Sequence, residues 1–249
     1  MPVHFFIGIV AFISEYLDSG LGMGYGTALT PILIIMGCDP LKVIPAVLIS
    51  QLATDVAACF FHHNLKNVDL KFGSPDFKAA SLLGVTSSVG VAIAVMVAIK
   101  IPRNVLTVYI GLLVLAMGAL VLFTIKRPLK FSWKKLMAVS FLAAFNKGIS
   151  GGGYGPLVMG GQLLSGINAK NSVGITAFAE AITCLIGFIV YLLSGKAIDW
   201  GLTLVLIVSA ILAVPCAALT VKNAHPNSLK RFVGILMMIL GLCTLLKIR

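Results

Sequence analysis

Acidic residues are scarce in this chain. Only 8 of its 249 residues are Asp or Glu, and charged residues of both signs make up 11%. An ordinary soluble domain carries about 25% charge, so this chain does not supply a water-facing surface of normal polarity. Cysteine chemistry is missing as well. Cys38, Cys59, Cys184, Cys216 and Cys243 are scattered, mostly in apolar sequence, without a Cys-x-x-Cys or a Cys/His cluster. Neither a disulfide framework nor a metal site is indicated. No Gly-Lys-Ser/Thr follows a glycine run, which excludes an ATP-binding P-loop. The four His lie near segment ends or in connections, and Gly-x-Ser-x-Gly is absent. Protease or hydrolase chemistry therefore has no constellation to work with, the chain reads as non-enzymatic, and no cofactor is called for.

What remains is apolar. Hydrophobic residues make up 59%, and the mean hydropathy is +1.06. This composition specifies an all-α polytopic membrane protein whose apolar surface faces lipid. The formal net charge of +11 does not point to nucleic acid. The Lys and Arg sit in short connections, where they orient a protein in its membrane. The start, Met1-Pro-Val-His, lacks a basic region and a cleavage site, so the first apolar segment reads as a retained helix.

Ten apolar segments are expected, at 3–19, 24–37, 43–62, 77–99, 104–125, 134–149, 152–166, 171–194, 200–221 and 228–247. The second and seventh hold about 14 residues, ~21 Å of helix. A hydrocarbon core is about 30 Å thick, so these two do not span alone. Each is expected to pair with its predecessor as a re-entrant hairpin, which leaves eight to ten transmembrane or re-entrant helices.

The chain repeats itself. Gly22-Met23-Gly24-Tyr25-Gly26 returns 129 residues later as Gly151-Gly152-Gly153-Tyr154-Gly155. The same offset pairs Asp18 with Lys147, Gln51 with Glu180 and Thr54 with Thr183. An offset of 123 pairs Asn104 with Asn227 and Gly118 with Gly241. Two repeats of five segments follow: 1–125, a basic cytoplasmic connection at 126–133, and 134–249. Five is odd, so the repeats are expected to be inverted. With the N-terminus outside, twelve basic residues fall in the inside connections, among them Lys66, Lys71, Lys78, Lys170 and the cluster from Lys126 to Lys135. Six fall outside. That bias agrees with inverted halves. Glycine runs interrupt helices, and unwound backbone at membrane depth survives only where it is buried or lines a cavity. Two such breaks at matching places point to a transporter's binding site.

The glycine motifs and their sequels resemble the sulfite exporter TauE/SafE family, also called the toluene sulfonate uptake permease family. Its pattern runs from a glycine-rich stretch to Pro, then Gly-x-x-Pro, Gly-Thr-Ser and a closing Gly-x-Val/Ile-Asp. The first repeat carries Gly20 to Gly26, Pro31, Gly37-Cys-Asp-Pro40 and Asn67-Val-Asp69. The second carries Gly148 to Pro156, Gly166, Gly174-Ile-Thr176 and Gly195-Lys-Ala-Ile-Asp199. The first repeat departs from the pattern with Pro45-Ala46-Val47 in place of Gly-Thr-Ser. The resemblance implies transport of a sulfur-containing anion such as sulfite, thiosulfate or an organosulfonate.

Charges inside membrane segments are functional hypotheses by default. Lys147, four residues before Gly151, is expected to offer positive charge to an anion and to approach Asp18. Gly22, Gly24, Gly151, Gly152 and Gly153 are expected to expose backbone N–H groups where helices restart, a ready anion site. Tyr25, Tyr154, Asn146 and Thr176 supply candidate hydrogen bonds to the ligand. Asp18, Gln51 and Glu180 are candidate coupling residues, with Glu180 as a proton carrier. Asp55 shares a helix face with Gln51, and Glu15 with Asp18. His62 and His63 are placed at the membrane interface. Packing or a structural salt bridge is the alternative role for each of these residues. The expected partners are a small sulfur oxyanion or organosulfonate, protons and the lipid bilayer, without nucleic acid; a homodimer is compatible with the chain. The short loops suggest a prokaryotic cytoplasmic membrane. The alternatives to a secondary transporter are an anion channel and a non-transporting membrane sensor or scaffold.

Overall fold

The computed structural model describes residues 2–124, 133–164, 167–221 and 226–246. Regular structure there is entirely α-helical. The first half holds α1 (Pro2–Leu21), α2 (Tyr25–Ile35), α3 (Pro40–Asn64), α4 (Pro75–Ala98) and α5 (Arg103–Thr124). The second holds α6 (Trp133–Ser150), α7 (Tyr154–Leu164), α8 (Ala169–Leu193), α9 (Trp200–Ile211), α10 (Ala213–Val221) and α11 (Pro226–Leu246). Six spans among the described residues are long and apolar enough to cross a membrane. The basic connection at 125–132 lies outside the described residues, as do Gly166 and Lys222.

The helix starts follow from polar caps set just before apolar runs. Asp39, Ser74, Asn168 and Asp199 each accept a backbone N–H of the helix that follows, relieving donors that have no partner within the helix. Pro40 and Pro75 take first-turn positions, where a missing N–H costs nothing. Asp199, the close of the glycine-to-Asp motif, accepts from Leu202 N at 3.0 Å. That part of the motif is a helix start.

The expected ninth segment, 200–221, is divided. α9 ends at Ile211 and α10 begins at Ala213. Pro215 explains the division: it lacks the N–H that would bond back to Ile211, and its ring crowds that carbonyl. α2 and α7 have 11 residues each, about 16 Å of helix, so neither spans alone.

The repeat is visible in the helix ends. A shift of 129 carries α2 and α3 onto α7 and α8 residue for residue. Packing follows the same exchange. α4 lies on α6 and α8, while α9 and α10 lie on α1 and α3; α3 also packs on α8, and α5 on α11. The fourth segment of each half thus rests against the first and third of the other. Small residues permit these approaches, as expected where lipid gives no hydrophobic drive to helix pairing. A Cβ on Gly90 would stand 2.6 Å from the Phe141 carbonyl oxygen, and one on Gly148 would stand 2.9 Å from that of Val91. Outward positions such as Phe5, Val85 and Leu193 are apolar and exposed, which suits a lipid-facing surface.

Candidate functional site

Both repeats break at their glycines in the same way. α1 ends at Leu21, and Gly22 leaves it with φ 67°. α6 ends at Ser150, and Gly151 leaves it with φ 72°. Gly24 and Gly153 also have positive φ, at 143° and 81°, which L side chains rarely adopt. α2 and α7 then restart at Tyr25 and Tyr154.

The two breaks lie against each other. A Cβ on Gly26 would strike the carbonyl of Gly151, and one on Gly155 would strike the carbonyl of Gly22. These contacts are reciprocal, because Gly22 and Gly26 are the repeat mates of Gly151 and Gly155. Four of the glycine N–H groups here are occupied in this conformation. Gly22 N donates to the Asp18 carbonyl at 2.6 Å and Gly151 N to that of Lys147 at 2.8 Å. Gly152 N donates to Ser150 Oγ at 3.1 Å and Gly153 N to Thr27 Oγ1 at 2.9 Å.

Beside the crossing lies a buried polar chain built from two repeat-related pairs. Lys147 Nζ donates to Glu180 Oε1 at 2.8 Å and also to Gln51 Oε1. Gln51 Nε2 donates to Asp18 Oδ2 at 3.0 Å. Asp18, Gln51, Lys147 and Glu180 are 6%, 1%, 1% and 3% exposed. They come from α1, α3, α6 and α8, so each half supplies its first and third helix. Lys147 and Asp18 do approach, with Gln51 between them. An ammonium removed from water needs such partners, because desolvation outweighs any single contact.

The structure gathers a second set around Asp18 and Glu180. Asp55, Ser19, Gly22 and Thr176 join them around a cavity of about 10 Å³, room for about one water. Thr176 Oγ1 accepts from Gln162 Nε2 at 2.8 Å. Glu15 lies behind, accepting from Ser19 Oγ at 2.6 Å.

Other expected site residues are engaged elsewhere. Tyr25 OH bonds Ser50 Oγ at 2.6 Å, and Tyr154 OH bonds Ser87 Oγ at 2.9 Å. Both rings are fully buried. Asn146 Oδ1 accepts from Tyr109 OH at 2.5 Å. His62 lies in the last turn of α3 and is fully buried against its neighbours. Asn67 Nδ2 donates to its Nδ1 at 3.0 Å, so its Nε2–H donates to the Ser19 carbonyl at 2.9 Å. This bond ties the end of α3 to α1. Asp55 was the residue hardest to assign from sequence. Its place four residues after Gln51 was the available signal; its convergence with α8 was not visible.

A model of the sulfite exporter TauE/SafE family matches residues 7–244. The chain belongs to that family. It is also similar to the probable membrane transporter protein YtnM of Bacillus subtilis (strain 168), with 26% identity over 245 residues that cover 93% of this chain and 78% of that protein. No solved structure matches it. With its apolar spans, this TauE/SafE member is a multi-pass membrane transporter. Its glycine-rich motifs are the two chain breaks, and its buried charges stand beside them.

Proposed function

We propose that this TauE/SafE protein is a secondary transporter that moves a small sulfur-containing anion, sulfite, thiosulfate or an organosulfonate, across a prokaryotic cytoplasmic membrane by alternating access. The observation that supports the reading is Lys147, a buried ammonium beside two crossed helix breaks, whose charge is met by Glu180. In the closed state Glu180 fills the role of the anion. A proton arriving on Glu180 releases Lys147, and the oxyanion takes the vacated place. Opening one break frees the N–H group of Gly22 and exposes that of Gly24, or frees those of Gly151, Gly152 and Gly153, to add hydrogen bonds. Thr176, on the wall of the cavity, borders the path; Tyr25, Tyr154 and Asn146 reach the ligand only on leaving their present partners. Asp18, through Gln51, reports the charge of one half to the other. Inverted repeats with the N-terminus outside provide the two alternately exposed faces. The reciprocal contacts of the glycine runs support that arrangement.

The test is anion binding and uptake by purified protein. Sulfite, thiosulfate, sulfate, sulfoacetate and taurine are compared with chloride, first by thermal shift and then in proteoliposomes. One sulfur oxyanion is expected to raise the unfolding temperature, and Lys147→Ala is expected to remove the response. Lys147→Arg keeps the charge if the alanine variant fails to fold. Accumulation driven by a pH gradient is expected in the wild type and absent in Glu180→Gln. A Lys147→Ala protein that folds and transports normally overturns the reading.

A further inference from the structure

Four carboxyls and one lysine are buried in the same region between the helices. Glu15, Asp18, Asp55 and Glu180 are 1%, 6%, 3% and 3% exposed. Lys147 answers Glu180, and Gln51 donates to Asp18. Among the described residues nothing donates to Asp55 Oδ2, which is buried without a hydrogen-bond partner there. Its carboxylate borders the cavity of about 10 Å³ beside Asp18 and Glu180.

These three lie close enough together to share one ion. One carboxylate oxygen from each of Asp18, Asp55 and Glu180 lies within 4.8 Å of the others. A single hard cation holds oxygen ligands at about 2.3–2.6 Å, so any two of its ligand oxygens stand no more than about 5 Å apart, a limit these three meet. Ser19, Gly22 and Thr176 share the wall with the apolar Ala58, Val173 and Ala177, and Ser19 and Thr176 add hydroxyl oxygens. The volume admits one dehydrated ion and excludes any polyatomic anion. Charge points the same way: ionised together, Glu15, Asp18, Asp55 and Glu180 exceed Lys147 by three negative charges inside low dielectric. Isolated charge there is prohibitive. One divalent ion together with one proton cancels the excess, as does one monovalent ion together with two protons.

We propose that Asp18, Asp55 and Glu180 form a buried site for one small hard metal cation, Na⁺ or a divalent ion such as Ca²⁺. The ligands come from α1, α3 and α8, and both halves are needed to complete the site. The cation's part in transport rests on the coupling role given to Asp18 and Glu180 above; its binding does not.

The experiment uses the full chain in detergent and reads the midpoint of thermal unfolding. NaCl is titrated against choline chloride at constant ionic strength. CaCl₂ and MgCl₂ are titrated separately after treatment with a chelator. A saturable rise of several degrees is expected with Na⁺ or with a divalent ion, and the active series identifies the charge of the ion. Asp55→Asn is expected to abolish the rise. Asp55→Glu, which keeps the charge and moves the oxygens, is expected to shift the half-effective concentration at least tenfold, and it serves where the asparagine variant does not fold. Equal midpoints in choline and in every metal salt overturn the proposal, as does an undiminished response in Asp55→Asn. Sulfur-anion transport that persists while metals have no effect sinks the cation site alone. Metal binding without anion transport sinks the transport reading alone.

Discussion

Lys147 and Glu180 are 33 residues apart in sequence and meet at 2.8 Å, Nζ to Oε1, with exposures of 1% and 3%. Their repeat mates, Asp18 and Gln51, form the neighbouring hydrogen bond of 3.0 Å. The same pair of positions therefore serves in both halves, as an ion pair in one arrangement and an amide–carboxylate bond in the other.

Breaking the ion pair from one side leaves a buried charge without its partner. Lys147→Met is expected to cost about 3–5 kcal/mol, the range for a one-sided loss. Lys147→Met combined with Glu180→Gln is expected to cost distinctly less than the sum of the two single changes. A double-mutant cycle on detergent-solubilised protein measures the difference; additive costs would show that the pair is not coupled.

The glycine crossing makes a prediction that composition alone does not. Gly26→Ala and Gly152→Ala are expected to prevent a stable fold or to cost several kcal/mol, because the added carbon meets backbone on the opposite run and overpacking alone costs about 1–3 kcal/mol. Gly20→Ala is expected to be neutral or stabilising by up to about 1 kcal/mol, since that glycine is helical with open space around it. Expression level and unfolding temperature of the three variants give the comparison.

The cap at Asp199 has a smaller effect. Asp199→Ala removes the acceptor for Leu202 N and is expected to cost about 1 kcal/mol, with no loss of anion binding. Asp199→Asn is expected to restore most of the stability. A binding defect in the alanine variant at normal stability would give the residue a role beyond capping.

The surface pair Arg103–Asp39, at 2.8 Å, is 68% and 16% exposed. Arg103→Ala is expected to lower stability by less than about 1 kcal/mol, and by less still at high salt. Unfolding at two ionic strengths measures this.

Topology is tested by labelling. Lys71 and Lys196 are both exposed, and inverted halves put them on opposite faces of the membrane. With the five native cysteines replaced, Lys196→Cys is expected to react with an impermeant thiol reagent on intact cells, and Lys71→Cys only after permeabilisation. Equal reactivity from one side would rule out the inversion.

Much of the fold was legible in order. Apolar run length, together with caps such as Asp39, Asn168 and Asp199, marks where helices begin, because a membrane helix must satisfy its own backbone. The pairing of Asp18 with Lys147 and of Gln51 with Glu180 could be read from the constant offset alone. The split at Leu212 was missed because Pro215 sits in an otherwise unbroken apolar run. The burial of His62 was not legible, because the end of a segment looks exposed until a neighbouring helix covers it.

The sequence by itself determined that this chain is helical, membrane-embedded, duplicated, and broken at two glycine runs. Those properties depend on composition and on spacing along one strand of chain. Only the tertiary structure decided which buried groups touch. It set Gln51 between Asp18 and Lys147, sent the hydroxyls of Tyr25 and Tyr154 to buried serines, and brought Asp55 to the cavity beside Glu180. The physical reason is that burial of charge is settled among helices distant in sequence: an ammonium or carboxylate out of water must find its partner wherever packing places one.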